Sequence, residues 1–297
     1  MTISAKALMA GLSQVGYVVR NEERLALTSL FLQTQGTRVM IIEGAPGCGK
    51  TSLPEKVAEV LESPKVFYLC HAWTDDSELF TGIDVPSAVA GDAANVRQLG
   101  VLAQVAELSK GASPDHPVIC ILDEIDKTAD RVENLLLDVL QTGRVPFKPG
   151  VHLQINLQNV IFFITSNGLR ELGDALLRRM RRLHMQPLKV ELVDDLVAGW
   201  TKADKGLVSI VRKAAMEVAQ SEGTAISPQE IRRLVDELVN LRRDNAIHNA
   251  ADVQLCLAGW AVKRPAKGLE HARKTKHNAA IWGMLKRIKP TAENAAE

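Results

Sequence analysis

Gly44, Gly49, Lys50 and Thr51 stand at the spacing G-x-x-x-x-G-K-[ST], with Ala45, Pro46, Gly47 and Cys48 between the outer glycines. The chemistry that suits this spacing is phosphate binding. Glycines let successive backbone N–H groups turn inward around phosphate oxygens, and the N-terminus of a following helix adds positive potential. A lysine at position 50 reaches the β- and γ-phosphates of a nucleotide, and the Thr51 hydroxyl ligates Mg²⁺. An ordinary glycine turn is the plain alternative. The flanks favour the phosphate loop, because the apolar run Val39, Met40, Ile41, Ile42 reads as a buried strand feeding it. Residues 52–61, opening with Ser52, read as the helix leaving it. Pro54 is tolerable there, since the earliest N–H groups of a helix lack an intrahelical partner.

A second constellation follows 72 residues after Thr51. The run Val118, Ile119, Cys120, Ile121, Leu122 ends in Asp123 and Glu124. A strand apolar throughout is buried on both faces, as in a parallel sheet covered by helices. Asp123 at its end would hold Mg²⁺, and Glu124 would orient or deprotonate an attacking water. A buried strand ending in a solvated acidic turn is the alternative.

Residues 160–165 form a third apolar run, ending in Ser166 and Asn167. Asn167 suits a polar sensor of the γ-phosphate or of the lytic water; it also suits a simple turn before Gly168. Beyond it, Arg178, Arg179, Arg181 and Arg182 flank Met180. They read either as cations at a helix end, or as an arginine finger that neutralises transition-state charge on phosphate.

The order of these parts resembles an AAA+ ATPase, and more narrowly its MoxR and dynein-related branch. Walker A at 44–51, Walker B at 118–124, Asn167 on the next strand tip and Ala175-Leu176-Leu177-Arg178-Arg179 carry the resemblance. Residues 66–71 with 76–82 resemble the branch's second strand and its following helix; 83–98 occupies the place of a helix-2 insert hairpin, and 143–158 that of the hairpin before sensor 1. The resemblance covers residues 16–240. It implies an α/β P-loop core, 1–190, with a small C-terminal helical lid, 191–250; beyond them the chain's charge marks off a basic segment, 251–297. It implies ATP and Mg²⁺ as cofactors, a homo-oligomeric ring (a hexamer), a protein client or adaptor, and ATP between core and lid with residues 16–19 lining the adenine. Arg179, or Arg178 beside it, would complete a neighbour's site. One position departs from the pattern: Gln229 stands where a sensor 2 arginine is usual, and Arg232 or Arg233 is either its substitute or a solvated helix residue. Ser227, Pro228 and Glu230 nevertheless form a sound helix start.

Composition fits a cytoplasmic enzyme. The chain has 297 residues, 46% of them hydrophobic and only 4% aromatic, giving room for an aliphatic α/β core and a smaller helical domain. Its four cysteines lack paired spacing, as expected of reduced thiols. Residues 1–12 do not read as a signal peptide, and no 18-residue apolar run suggests a membrane span. Helical periodicity runs through 192–241, with breaks placed at Lys205-Gly206 and Glu222-Gly223.

Charge is uneven. Between Lys263 and Lys289 nine Lys or Arg face one acid, a net of +8, whereas the whole chain is +1. Such a stretch either binds nucleic acid or an acidic surface, or merely solvates a helix. The expected function is an ATP-hydrolysing ring that remodels a protein partner. The alternative is a nucleic-acid-associated ATPase that uses the basic segment, and a third reading is a nucleotide-controlled switch with little turnover. Glu124 and Asn167 speak against the third.

Overall fold

The computed structural model describes residues 5–83, 89–90, 97–148 and 150–291. They form two compact units, Met1–Gln186 and Pro187–Glu297.

In the first unit, α1 (Ala5–Gln14) and α2 (Asn21–Leu32) precede β1 (Arg38–Glu43), the phosphate-type loop and α3 (Ser52–Val60). There follow β2 (Lys65–Leu69), α4 (Asp76–Leu79), β3 (Thr81–Ile83), β4 (Arg97–Leu99) and α5 (Val101–Gly111). Next come β5 (Val118–Asp123), α6 (Asp130–Thr142), β6 (Arg144–Lys148), β7 (Val151–Gln154), β8 (Val160–Ser166), α7 (Asp174–Leu177) and β9 (Arg181–His184). Five strands make one parallel sheet in the order β2-β5-β8-β1-β9.

The burial of this sheet follows from the strands' composition. Successive side chains on a strand point to opposite faces, so an all-apolar strand supplies both. Val39, Ile41, Cys120, Leu122, Phe162 and Ile164 pack into one cluster. Met40, Ile42, Ile119, Ile121, Ile161 and Phe163 pack into the other. The three strands that carry the suspected chemistry are therefore clamped between two cores, with their C-terminal tips side by side.

A hairpin of β6 with β7 lies just before β8. Gly143 starts it at φ +70°, where an added Cβ would meet the Ile155 carbonyl oxygen at 2.6 Å, so no side chain fits. β3 and β4 pair antiparallel; most of the segment read as an insert hairpin lies outside the described residues. β9 was not expected from the sequence: the arginines after α7 enter a strand paired with β1 instead of prolonging a helix.

The second unit is helical: α8 (Val190–Thr201), α9 (Lys205–Ser221), α10 (Pro228–Arg243), α11 (Ala250–Ala261), α12 (Pro265–Lys274) and α13 (His277–Leu285). The break expected at Lys205-Gly206 falls earlier, because Asp204 caps α9 by accepting the Leu207 N–H at 3.1 Å. Gly223, at φ +66°, follows the end of α9. At α10 the expected start is present: Ser227 and Glu230 form a capping box with Pro228 in the first turn. The basic segment joins this unit. Val253, Leu257, Ala272, Ile281 and Leu285 share one core with Leu207, Val211, Leu234 and Leu238, since α12 buries an apolar residue among its charged ones and α13 is apolar between flanking lysines.

Candidate nucleotide site

β1 ends at Glu43, and the chain then turns through residues 44–51 into α3. Gly44, Gly47 and Gly49 all have positive φ, at 156°, 81° and 94°. At Gly44 glycine is obligatory, because a Cβ would lie 2.4 Å from the Met185 carbonyl oxygen. Ala45, Pro46 and Gly47 are exposed at the loop's crest, while Cys48 and Lys50 are buried beneath it. Lys50 Nζ donates to the carbonyls of Gly44 at 2.8 Å and Ala45 at 3.0 Å. Its ammonium is thereby folded across the concave side of the loop. Ser52 opens α3 directly behind Thr51, so the helix N-terminus faces the same loop. The segment 16–19 is tethered nearby. The Arg20 guanidinium donates to the Cys48 carbonyl at 3.4 Å and to Glu23 at 2.6 Å, and the Tyr17 hydroxyl donates to the same carboxylate at 3.3 Å. Burial pushes the Tyr17 phenol well above its ordinary range, with the Glu23 charge adding to it.

At the tip of β5, Asp123 Oδ1 accepts two hydroxyls: Thr51 Oγ1 at 2.9 Å and Thr165 Oγ1 at 2.6 Å. The next residue, Glu124, adopts the left-handed region at φ 56°, ψ 48°, a conformation sparsely used by non-glycine residues and concentrated at functional sites. Its Oε1 accepts the Asn167 side-chain amide at 2.8 Å, and its Oε2 pairs with Lys127. The hydrogen bond and charge of Glu124 hold the exposed Lys127 ammonium above the usual lysine range. Behind them, the buried Asp126 Oδ2 accepts the backbone N–H groups of Asn167 at 3.1 Å and Leu169 at 2.8 Å. Cys70 N–H binds the Asp123 carbonyl at 2.8 Å; burial, with Asp123 beside it, pushes that thiol up to about 12.

Thr51, Asp123, Glu124 and Asn167 thus stand on three adjacent segments, bridged by hydrogen bonds no longer than 2.9 Å. A hydroxyl and a carboxylate of this kind are hard oxygen donors and fit Mg²⁺. A glycine loop with a helix N-terminus behind it fits polyphosphate.

The chain is similar to known proteins in sequence and in fold. Residues 39–180 match the AAA domain of the dynein-related subfamily. The Lon protease of Mycolicibacterium smegmatis is 31% identical over 179 residues, 56% of this chain and 19% of that protein. The chaperone protein ClpB of Porphyromonas gingivalis is 26% identical over 236 residues, 73% of this chain and 23% of that one. The chain carries an AAA+ ATPase domain. Among solved structures, a closed-state cryo-EM reconstruction of Hsp104 with ATPγS and FITC-casein is similar in fold. Its TM-score is 0.58 at 16% identity, covering 80% of this chain and 47% of that one. The chain spans about a fifth of the length of the curated relatives it matches.

The AAA+ domain displays its two candidate finger arginines outward. Arg178 is exposed and 4.0 Å from Asp174. Arg179 is exposed too, bonded to the Ala175 carbonyl at 2.6 Å and to Gln141 at 3.3 Å. Arg182 belongs elsewhere, bidentate on Glu43 at 3.0 Å. In the helical unit Gln229 lies in the first turn of α10. Arg232 lies over the Trp200 ring at 5.7 Å and Arg233 over the Trp260 ring at 5.7 Å. Sequence reasoning passed over Thr165, Asp126 and Lys127. Their only signal was position, one within the Thr-Ser-Asn run and two just past Asp-Glu, beyond Ile125.

Proposed function

We propose that this chain binds ATP with Mg²⁺, hydrolyses it at Glu124, and uses the energy to remodel a protein partner as a MoxR-like ring. The observation that carries the reading is the Glu124 carboxylate, held by Asn167 at 2.8 Å beside the linked pair Thr51 and Asp123. In this mechanism the backbone of residues 44–49 and Lys50 hold the phosphates. Thr51 and Asp123 supply oxygens to Mg²⁺, which when bound neutralises charge on the β- and γ-phosphates. Glu124 takes a proton from the attacking water, and Asn167 keeps that carboxylate turned towards it. Arg179, exposed on its own subunit, serves a neighbouring subunit's γ-phosphate, with Arg178 beside it; a ring, hexameric on this reading, follows from that need. The similarity of the fold to a casein-bound Hsp104 supports a protein client. The four buried, unpaired cysteines suit the cytoplasm, and among the described residues no helix is long and apolar enough to cross a membrane.

The test uses two variants. Lys50→Ala should abolish binding of ATP. Glu124→Gln should retain ATP and lose roughly 10²–10⁴-fold in turnover, the usual contribution of a positioned base. Normal hydrolysis by Glu124→Gln would sink the mechanism.

A second reading, in which the partner is nucleic acid, draws on one observation. Arg273, Lys276, Arg287 and Lys289 are exposed and lack ion pairs among the described residues.

A further inference from the structure

The Thr165 side chain lies at the end of β8, fully buried, and the mechanism above assigns it nothing. Its hydroxyl has one hydrogen, and the geometry fixes where that hydrogen goes. The oxygen sits 2.6 Å from Asp123 Oδ1, an acceptor, and 2.9 Å from the Glu124 backbone nitrogen, a donor. The hydroxyl must therefore donate to the carboxylate and accept from the amide. A single buried atom thus binds both members of the acidic pair, one through its side chain and the other through its main chain.

Two further facts give that bridge a consequence. Asp123 Oδ1 also accepts Thr51 Oγ1 at 2.9 Å, so two hydroxyls occupy one carboxylate oxygen and fix the plane of the group. Glu124 is held at φ 56°, a conformation that needs over-determination by its surroundings. Its N–H is the backbone group anchored by Thr165. The anchor itself is rigid: Thr165 is in register with Ile42 on β1, and its neighbour Ile164 is in register with Leu122 on β5.

We infer that the Thr165 hydroxyl is a positioning group for hydrolysis, setting the Asp123 carboxylate for the metal and the left-handed turn that aims Glu124 at water. The inference rests on the reading of Asp123 and Glu124 given above. It separates binding from turnover. The phosphate cradle of residues 44–50 does not run through Thr165, so affinity for the nucleotide itself should survive loss of the hydroxyl. The step that needs an oriented Asp123 and Glu124 should not.

The test compares Thr165→Val, which keeps the side chain's shape and removes its hydrogen bonds, with Thr165→Ser, which keeps the hydroxyl. Full-length protein is assayed for ATP turnover, for affinity towards a fluorescent ATP analogue with and without Mg²⁺, and for its melting temperature. Thr165→Val should lose roughly 10- to 100-fold in kcat, the usual cost of removing such a supporting contact. Affinity for the analogue without Mg²⁺ should stay near wild type, and the gain in affinity on adding Mg²⁺ should shrink. Thr165→Ser should restore both. Should the Thr165→Val protein fail to fold, Thr165→Ala is the second variant, and the same split is expected from it. Wild-type kcat in a folded Thr165→Val or Thr165→Ala protein, beside an inactive Glu124→Gln, would overturn the inference. So would a Thr165→Ser protein as slow as Thr165→Val, which would make the methyl group the cause. An active Glu124→Gln would instead overturn the underlying reading of the site.

Discussion

The α/β unit and the helical unit bury similar polar groups and use them differently. In the helical unit Asp194 and Arg212, both nearly inaccessible, neutralise each other at 2.6 and 3.1 Å. The buried Glu222 carboxylate accepts the backbone N–H groups of Lys263 at 2.7 Å and Arg264 at 3.0 Å, at the start of α12. Gly268 lets that helix pass close by, since a Cβ there would overlap the same carboxylate. In the α/β unit, Lys50, Asp123, Asp126 and Thr165 are buried too, but they gather at the tips of three neighbouring strands. Asp126 Oδ1 is buried there with no hydrogen-bond partner. Closed pairs hold a fold together; a cluster of acceptors at strand ends, left partly unpaired, is what an ion and a water would complete.

The largest expected break of this comparison lies at an exposed residue. Arg179→Ala should leave the protein folded and cost on the order of 10³–10⁵ in turnover, the scale of a finger arginine. Mixing it with Lys50→Ala protein should restore part of the activity, because in the proposed ring a mixed assembly would contain some sites with both residues intact. A mixture that stays inactive while both proteins still assemble would end the assignment in trans. Full activity of Arg179→Ala alone would move the role to Arg178 or Arg181.

A smaller effect, read in stability, sharpens the contrast. Asp194→Ala strands the buried Arg212 charge and should cost about 3–5 kcal/mol of stability in the helical unit. Replacing both partners, Asp194→Leu with Arg212→Met, should cost far less, because no uncompensated charge remains. Glu124→Gln should leave the melting temperature close to wild type. Calorimetry of the variants decides the matter: equal losses in Glu124→Gln and Asp194→Ala would dissolve the distinction between a site and a scaffold.

What the sequence made legible was local. The loop 44–51 is contiguous, and its glycines, lysine and threonine name their own chemistry. Asp123 and Asn167 could be placed because each follows a short apolar run, and runs of that length bounded by turn residues read as buried strands. Thr165 was out of reach for a physical reason. Its role depends on β8 lying next to β5, which brings residues 42 apart to 2.6 Å, and strand order is not written in either strand alone. β9 was missed because Arg181, Arg182 and His184 leave only Leu183 to mark a strand; its pairing with β1 supplies the rest. In the helical unit charge hid the core. The +8 stretch reads as a binding surface or a solvated helix, and neither reading shows that Ala272, Ile281 and Leu285 are buried in the core of this unit.

That core changes how the basic segment must be probed. Deleting residues 263–297 would remove Ile281 and Leu285, both fully buried, and would test folding instead of binding. Part of the charge is also engaged internally. Lys263 pairs with Glu230, Lys274 with Glu270, and Lys286 lies over the Trp282 ring at 6.0 Å. Arg273 on α12 and Lys276, Arg287 and Lys289, which flank α13, remain as exposed cations. Changing these four to Gln should shift stability little, since surface substitutions usually stay within about 0.5 kcal/mol each. ATP turnover in the absence of a partner should be unaltered. If the partner is nucleic acid, its affinity should fall with salt, each neutralised phosphate contributing a slope of about −0.9 for duplex DNA. The four-Gln variant should then show a slope shallower by up to about 3.6 on the same scale. Binding to a fluorescent duplex and to a single strand, titrated from low salt, reads this directly. A wild-type protein that binds neither at low salt would remove the nucleic-acid reading. Binding with an unchanged slope in the variant would place the contact away from these four cations.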